Sequence, residues 1–248
     1  MHPPASIDLN ADVGEGAGFD AQLVPLVSSV NIACGAHAGD AATMRATASL
    51  ALESGAAIGA HPGFSDREHF GRRELEISPD AAAVLVVGQV ALLESMIEDL
   101  GARVGHLKLH GALYNMVSRD RRLADAVAEA LSRHHPKKRL FALAGSALAE
   151  AGKAAGLDVV AEAFADRTYR RDGSLTPRSQ TGSVITDEEQ ALRQALGIAR
   201  DGSVLAADGA RVAVQAQTLC LHGDSAHAVA FAVRIRRALE GAGIAVRP

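Results

Sequence analysis

Four short apolar runs in this chain end alike. "IACGAHAGD" covers 32–40, "IGAHPGFSD" 58–66, "LKLHGALY" 107–114 and "LCLHGDSAH" 219–227, and each closes beside a histidine and a glycine. An apolar run of this length that stops at a glycine reads as a buried strand entering a loop. Between the runs lie Ala/Leu-rich segments of helical period. A chain that alternates in this way needs a parallel sheet with helices packed outside it.

The elements can be placed. Strands are expected at 6–10, 29–33, 57–61, 104–110, 139–144, 157–164 and in "QTLCLHG". Asp40 can cap a helix over 40–54 that Gly55 ends, and Ser78 with Pro79 can start one that runs to Gly101. Further helices are expected over 187–199 and 225–240, and "SVLAADGARVAV" reads as a hairpin turning at Asp208-Gly209. Seven or eight such units in 248 residues favour one closed barrel spanning 1–248 over a doubly wound sheet. No G-x-G-x-x-G follows the first strand to support a dinucleotide site. The longest stretch without periodicity is 165–182, and loops of that length are often functional.

Composition narrows the function. The net charge of −4 favours neither nucleic acid nor an acidic membrane, and an aromatic content of 3% argues against base-stacking surfaces. The segment "AAAVLVVGQVALL" reads as too short to span a bilayer. Cys34 and Cys220 make no disulfide framework and read as core residues, and the expected setting is the reducing cytoplasm.

In a parallel barrel the chemistry collects where strands end. The first strand brings Asp8, Asn10, Asp12 and Glu15, and the second Asn31 and His37. The third brings His61 and, further on, Arg72, and the fourth Lys108, His110 and Tyr114. Glu162, Asp166, Arg167 and Arg170 follow the sixth, and His222 the last. Lys108 and His110 share strand parity, so both can point into the barrel mouth. A buried lysine can simply pair with Asp8 or Glu162, and a lone histidine can be a structural hydrogen-bonder. Four histidines at equivalent strand ends point instead to proton transfer. Asp12, His37 and His61 have ligand types that suit zinc or a similar ion, but no H-E-x-x-H or paired C-x-x-C accompanies them. No G-x-x-x-x-G-K-[ST] phosphate loop occurs.

"IDLNADVGEG", "VNIACGAHAGD", "IGAHPGFSDREHFGRR", "LKLHGALYN", "AEAFADRTYRRDGSLTPRS" and "LCLHGDS" together resemble the LamB/YcsF family, from about residue 5 to the C-terminus. The resemblance implies an irregular seven-stranded (β/α) TIM-like barrel of the glycoside hydrolase and deacetylase type. It also implies ATP-dependent opening of 5-oxo-L-proline (pyroglutamate) to L-glutamate, with ADP and phosphate released. ATP, with magnesium, would be the cofactor, and two further subunits, B and C, the partners in a cytoplasmic complex.

That chemistry assigns roles within the cluster. Asp12, His61 or His110 could act as general base, and Glu162, Asp166 or His222 could protonate the leaving nitrogen. Lys108, Arg167, Arg170 and Arg171 supply positive charge for carboxylate or phosphate. Asn10, Asn31, His37, Arg72 and Tyr114 complete the expected substrate contacts. The competing expectation is a stand-alone metal-dependent hydrolase, such as a deacetylase in carbohydrate metabolism, and a third is a non-catalytic binding subunit.

Overall fold

The structure is a computed structural model that describes residues 6–222 and 228–248. The strands are β1 (Ser6–Val13), β2 (Ser29–Ala33), β3 (Ala57–His61), β4 (Val104–Lys108), β5 (Arg139–Leu143), β6 (Val159–Phe164), β7 (Ser203–Leu205), β8 (Arg211–Ala213), β9 (Thr218–His222) and β10 (Ala245–Val246). The first six pair in parallel in chain order. β9 then pairs with both β6 and β1 and closes a seven-stranded barrel. β7 and β8 form a separate antiparallel hairpin, and β10 lies beside the first residues of β1. The helices are α1 (Asp20–Leu23), α2 (Ala41–Ser54), α3 (Pro79–Ile97), α4 (Gly111–Arg119), α5 (Arg121–His134), α6 (Ala147–Ala154), α7 (Glu188–Asp201) and α8 (Ala228–Gly241).

The expected caps form. The Asp40 carboxylate accepts from Thr43 N–H, Gly55 ends α2 in the left-handed region, and the Ser78 hydroxyl accepts from Ala81 N–H ahead of Pro79. β1 runs three residues beyond its expected end. Ile7, Leu9, Ala11 and Val13 join the hydrophobic core, while Asp8, Asn10 and Asp12 alternate onto the inner face and bond to side chains of the neighbouring β2 and β9. β4 is shorter than expected. His110 already lies outside it, at the N-cap of α4, and Gly111 follows with φ +57°.

The stretch 165–182 is fastened rather than structureless. Arg167 bridges to Val184 and Tyr169 to Leu175, and the buried Tyr169 hydroxyl accepts from Phe164 N–H at 2.7 Å. Gln194 of α7 donates to the carbonyls of Phe164 and Arg167. The apolar segment read as too short for a bilayer belongs to a longer helical stretch, Pro79–Leu100. Its 22 residues are long and apolar enough to cross a membrane by length and composition. One face of α3 instead joins the core through Ala82, Val86, Val90, Leu93 and Ile97.

The barrel interior leaves no spare room at Gly59 of β3. A Cβ there would stand 2.1 Å from His106 Nε2, and that ring is stacked on Phe141 with centroids 4.2 Å apart. Gly59→Ala is therefore expected to destabilise the fold by about 1–3 kcal/mol. In a His106→Ala background the same change should cost much less. Denaturant unfolding of the four proteins in this cycle checks it, and equal costs in both backgrounds would place the constraint elsewhere.

Candidate active site

The floor of the barrel is a directional chain of hydrogen bonds. His106 Nε2–H donates to Asn31 Oδ1 at 3.0 Å, Asn31 Nδ2 to Asn10 Oδ1 at 2.7 Å and Asn10 Nδ2 to Thr218 Oγ1 at 2.7 Å. Thr218 donates in turn to Asp8, which also accepts from Ser28 and Ser29. The four linked side chains above Asp8 lie within the barrel and are buried. The chain leaves each a defined donor and acceptor role, as burial of polar groups demands.

Above this floor sits the Lys108 ammonium. It lies 2.9 Å from Asp12 Oδ1, 3.0 Å from Glu162 Oε1 and 2.9 Å from Cys220 Sγ. Burial acts to neutralise it, but Asp12, Cys220 and Glu162 more than offset that and hold its pKa well above the ordinary lysine value. It is a fixed cation, not a base. Tyr114 donates to Glu162 Oε2 at 2.8 Å, and burial with the Glu162 charge keeps its proton on. Burial likewise raises the Cys220 thiol, which does not suit it as a nucleophile.

Beside the ammonium, four side chains converge. One ligand atom from each of Glu15, His37, His61 and His110 lies within 4.8 Å of the others, so the group could hold a metal ion. The histidine tautomers follow from their partners. His61 Nδ1 faces Lys108 O at 2.8 Å, and His110 Nε2 faces Phe70 O at 2.9 Å. A carbonyl only accepts, so those nitrogens carry the protons. His61 Nε2 and His110 Nδ1 then face one another at 3.0 Å, with Glu15 Oε1 at 3.9 and 3.3 Å. His37 stacks on His110 with centroids 3.7 Å apart and reaches Glu15 Oε1 at 3.1 Å. Burial pulls His110 down to about 4 and lowers His37. Burial opposes protonation of His61 too, but the charge of Asp12, whose Oδ2 lies 3.3 Å from His61 Nε2 and accepts from it once that nitrogen is protonated, outweighs it and raises its pKa. Among the three, His61 takes a proton most readily. Despite its burial, Glu15 is held ionised by the His110 and His37 rings beside its carboxylate.

Two cavities lead to this centre. The inner one, ≈ 30 Å³, is bounded in part by Asp12, His61, Lys108, His110 and Tyr114. It has room for water but not for an organic substrate. The outer one, ≈ 720 Å³, shares Arg72, Gly111, Asn115, Leu175 and Arg178 with it as a common wall.

The structure gathers Asp12, His61, Lys108, His110 and Tyr114 at the inner cavity, with Glu162 bonded directly beneath. Asn10 and Asn31 lie in the floor, with their amides spent on neighbours. Arg72 lies in the shared wall, and Arg170 lines the outer cavity. Arg167 also borders the inner cavity, but its guanidinium donates to the carbonyls of Ser183 and Thr176, so it organises the loop. Arg171 pairs outside with Asp208. Asp166 is buried in the same loop, where its carbonyl accepts from Ile185 N–H. His222 ends β9, and its side chain lies outside the described residues, as do residues 223–227 of the last motif. Residue type and placement point to Asp12, His37 and His61 as metal ligands. The converging group instead includes Glu15 and His110, while Asp12 Oδ1 is occupied by Lys108 and Asn31. Arg178 is not among the residues expected from the sequence, and nothing around it there distinguishes it from other loop arginines.

His106 makes the fold sensitive to acid. Burial, helped by the charges of Arg139 and Lys108, pulls its pKa down to about 3. Unfolded, it titrates near 6.5. The folded-state value is depressed for a base, so its stabilisation is complete above about pH 6.5 and is lost as pH falls toward about 3. Unfolding free energy should therefore fall with acidification across that window, by at most ~1.4 kcal/mol per pH unit from this residue. His106→Asn should flatten that part of the profile, as chemical denaturation at stepped pH would show.

Comparison with known proteins agrees along the whole chain. The LamB/YcsF family model matches residues 7–248. The A-subunit of 5-oxoprolinase from Brevibacillus brevis is 48% identical over 246 residues, covering 97% of each chain. The protein of that name from Bordetella pertussis is 50% identical over 252 residues, covering 100% of this chain and 99% of the relative. The crystal structure of a lactam utilization protein from Thermus thermophilus superposes with a TM-score of 0.90 at 45% identity, covering 98% and 99%. A T48 deacetylase solved with substrate shares the fold at a TM-score of 0.51 and 14% identity, over 99% of this chain and 87% of its own. With the family match spanning nearly every residue and relatives close to half identical, this chain belongs to the LamB/YcsF family.

Proposed function

We propose that this chain carries the ring-opening site of an ATP-dependent 5-oxoprolinase. In this reading 5-oxo-L-proline, ATP and water give L-glutamate, ADP and phosphate, in a cytoplasmic complex with subunits B and C. The full-length relatives, named as A-subunits of 5-oxoprolinase, support the substrate class and the existence of partner subunits. The observation that carries the reading is local. A fixed ammonium, a protonated phenol and a cluster of buried acceptors meet at the end of a cavity whose wall holds Arg72 and Arg178.

A five-membered lactam is a stabilised amide, and opening it requires an activated carbonyl, a placed water and a proton for the ring nitrogen. Phosphorylation of the lactam oxygen supplies the activation. Water then adds to the ring carbon, the C–N bond breaks with a proton delivered to nitrogen, and the resulting acyl phosphate is hydrolysed by a second water to glutamate and phosphate. The outer cavity accommodates the ring, with Arg72 and Arg178 matched to its carboxylate and the phosphoryl group. The inner cavity holds the attacking water beside His61 and His110, and Asp12 takes its proton. Lys108 and Tyr114 stabilise negative charge as it forms on oxygen. With no P-loop motif in the sequence, this reading gives phosphorylation to the complex rather than to this chain alone.

Glutamate release from 5-oxoproline tests this. The complete complex should produce it only with ATP, and Lys108→Ala should lower the rate by about 10²–10⁴-fold in protein that still unfolds above the assay temperature. Full turnover by the isolated chain with ATP would overturn the division of labour. No glutamate under any condition would overturn the substrate, and metal-dependent release of acetate without ATP would move the deacetylase reading into its place.

A further inference from the structure

We infer that His61, His110 and Glu15 form a three-ligand site for a borderline divalent ion such as zinc, and that His37 supports this site without ligating. The inference stands whichever substrate the chain acts on.

It rests on where lone pairs point. The protons on His61 Nδ1 and His110 Nε2 are committed to the carbonyls of Lys108 and Phe70. This is the arrangement that outer groups impose on metal-ligating imidazoles, fixing both tautomer and ring orientation. Phe70 has φ 54°, unusual for a bulky residue, and that conformation carries the receiving carbonyl. The lone pairs of His61 Nε2 and His110 Nδ1 meet at 3.0 Å, with the Glu15 carboxylate 3.9 and 3.3 Å away and Asp12 Oδ2 3.3 Å from His61 Nε2. Four acceptors this close repel unless something positive lies among them, and Asp12 is already tied through Oδ1 to Lys108 and Asn31. A single proton joins only one pair, whereas a cation answers His61, His110 and Glu15 together. Metal–ligand bonds of about 2.0–2.1 Å in a tetrahedral shell separate ligand atoms by about 3.3 Å, and the three observed spacings bracket that value.

His37 differs. Its Nδ1 is buried with no hydrogen-bond partner among the described residues. Ligation through Nε2 would require a proton on that Nδ1, with no acceptor for it. With the proton on Nε2 instead, His37 donates to Glu15 Oε1 at 3.1 Å and orients that carboxylate. The site can be reached, because His61 and His110 both border the inner cavity. Two imidazoles and one carboxylate suit zinc and its neighbours rather than magnesium or calcium.

The test uses the full chain stripped with chelator, then titrated with Zn²⁺ by calorimetry and with Co²⁺ by visible absorption. One equivalent of each should bind, and Co²⁺ should give the intense d–d bands of a low-coordinate site with nitrogen ligands. His61→Ala and His110→Ala should each abolish stoichiometric binding. His37→Gln should keep the stoichiometry and the Co²⁺ bands while weakening affinity by about 10–100-fold. Circular dichroism must show native folding in each variant. If a histidine-to-alanine variant does not fold, Glu15→Gln replaces it, with strongly weakened binding and shifted Co²⁺ bands expected. Wild type that binds neither ion, with a proton resonance bridging the two imidazoles, would overturn the site. Loss of the Co²⁺ bands in His37→Gln would overturn the split between ligand and support.

Discussion

The Lys108 ammonium ties together side chains from three strands inside the barrel. β4 carries it, β1 supplies Asp12, and β6 supplies Glu162, with bonds of 2.9 and 3.0 Å. Bulk water does not screen it, since Lys108, Asp12 and Glu162 are all buried. A charge in that position costs several kcal/mol to desolvate, and its two counter-ions repay this only with good geometry and satisfied lone pairs. The second Glu162 oxygen accordingly takes Tyr114, and Asp12 Oδ1 also takes Asn31. Removing one partner from such a pair typically costs ~3–5 kcal/mol, because the other is left buried and uncompensated. The closed barrel and the ion pair thus require each other. The strands hold the charges within reach, and the charges penalise any opening of the strands.

How much of this was legible in the sequence depends on how far along the chain each partner lies. The barrel could be read because its signal is local, with apolar runs, caps such as Asp40 and Ser78, and repeated His–Gly endings. The expected end of β1 at Asn10 falls short because Asp12 and the glycines just after it look like the start of a loop. In a barrel with a polar axis the inward positions are the hydrophilic ones. The metal-type group was half legible. His37 and His61 announced themselves through their motifs, but Glu15 joins them from a glycine-rich loop whose direction no spacing rule gives. Arg167 shows the opposite failure. Its charge suggested a substrate contact, and the structure spends its guanidinium on loop carbonyls.

The polar floor also explains why the mouth can be rigid without being apolar. From His106 to Asp8 each side chain has one bonding arrangement, so none can rotate without breaking a buried hydrogen bond. That constraint passes upward by covalent and hydrogen-bonded steps. Asn31 holds Asp12, Asp12 holds Lys108, and the Lys108 carbonyl fixes the His61 ring. A shift of Lys108 along β4 would therefore move an ammonium and a histidine lone pair together. Reactions that need a cation and an acceptor at a set separation gain from such coupling, because the reorganisation is done at folding rather than at each turnover. The outer cavity is built differently, with Arg72 and Arg178 set by loops rather than by the barrel axis. Under the proposed reaction, the groups fixed by the barrel axis would set the chemistry, and the loop-borne arginines the anion admitted to it.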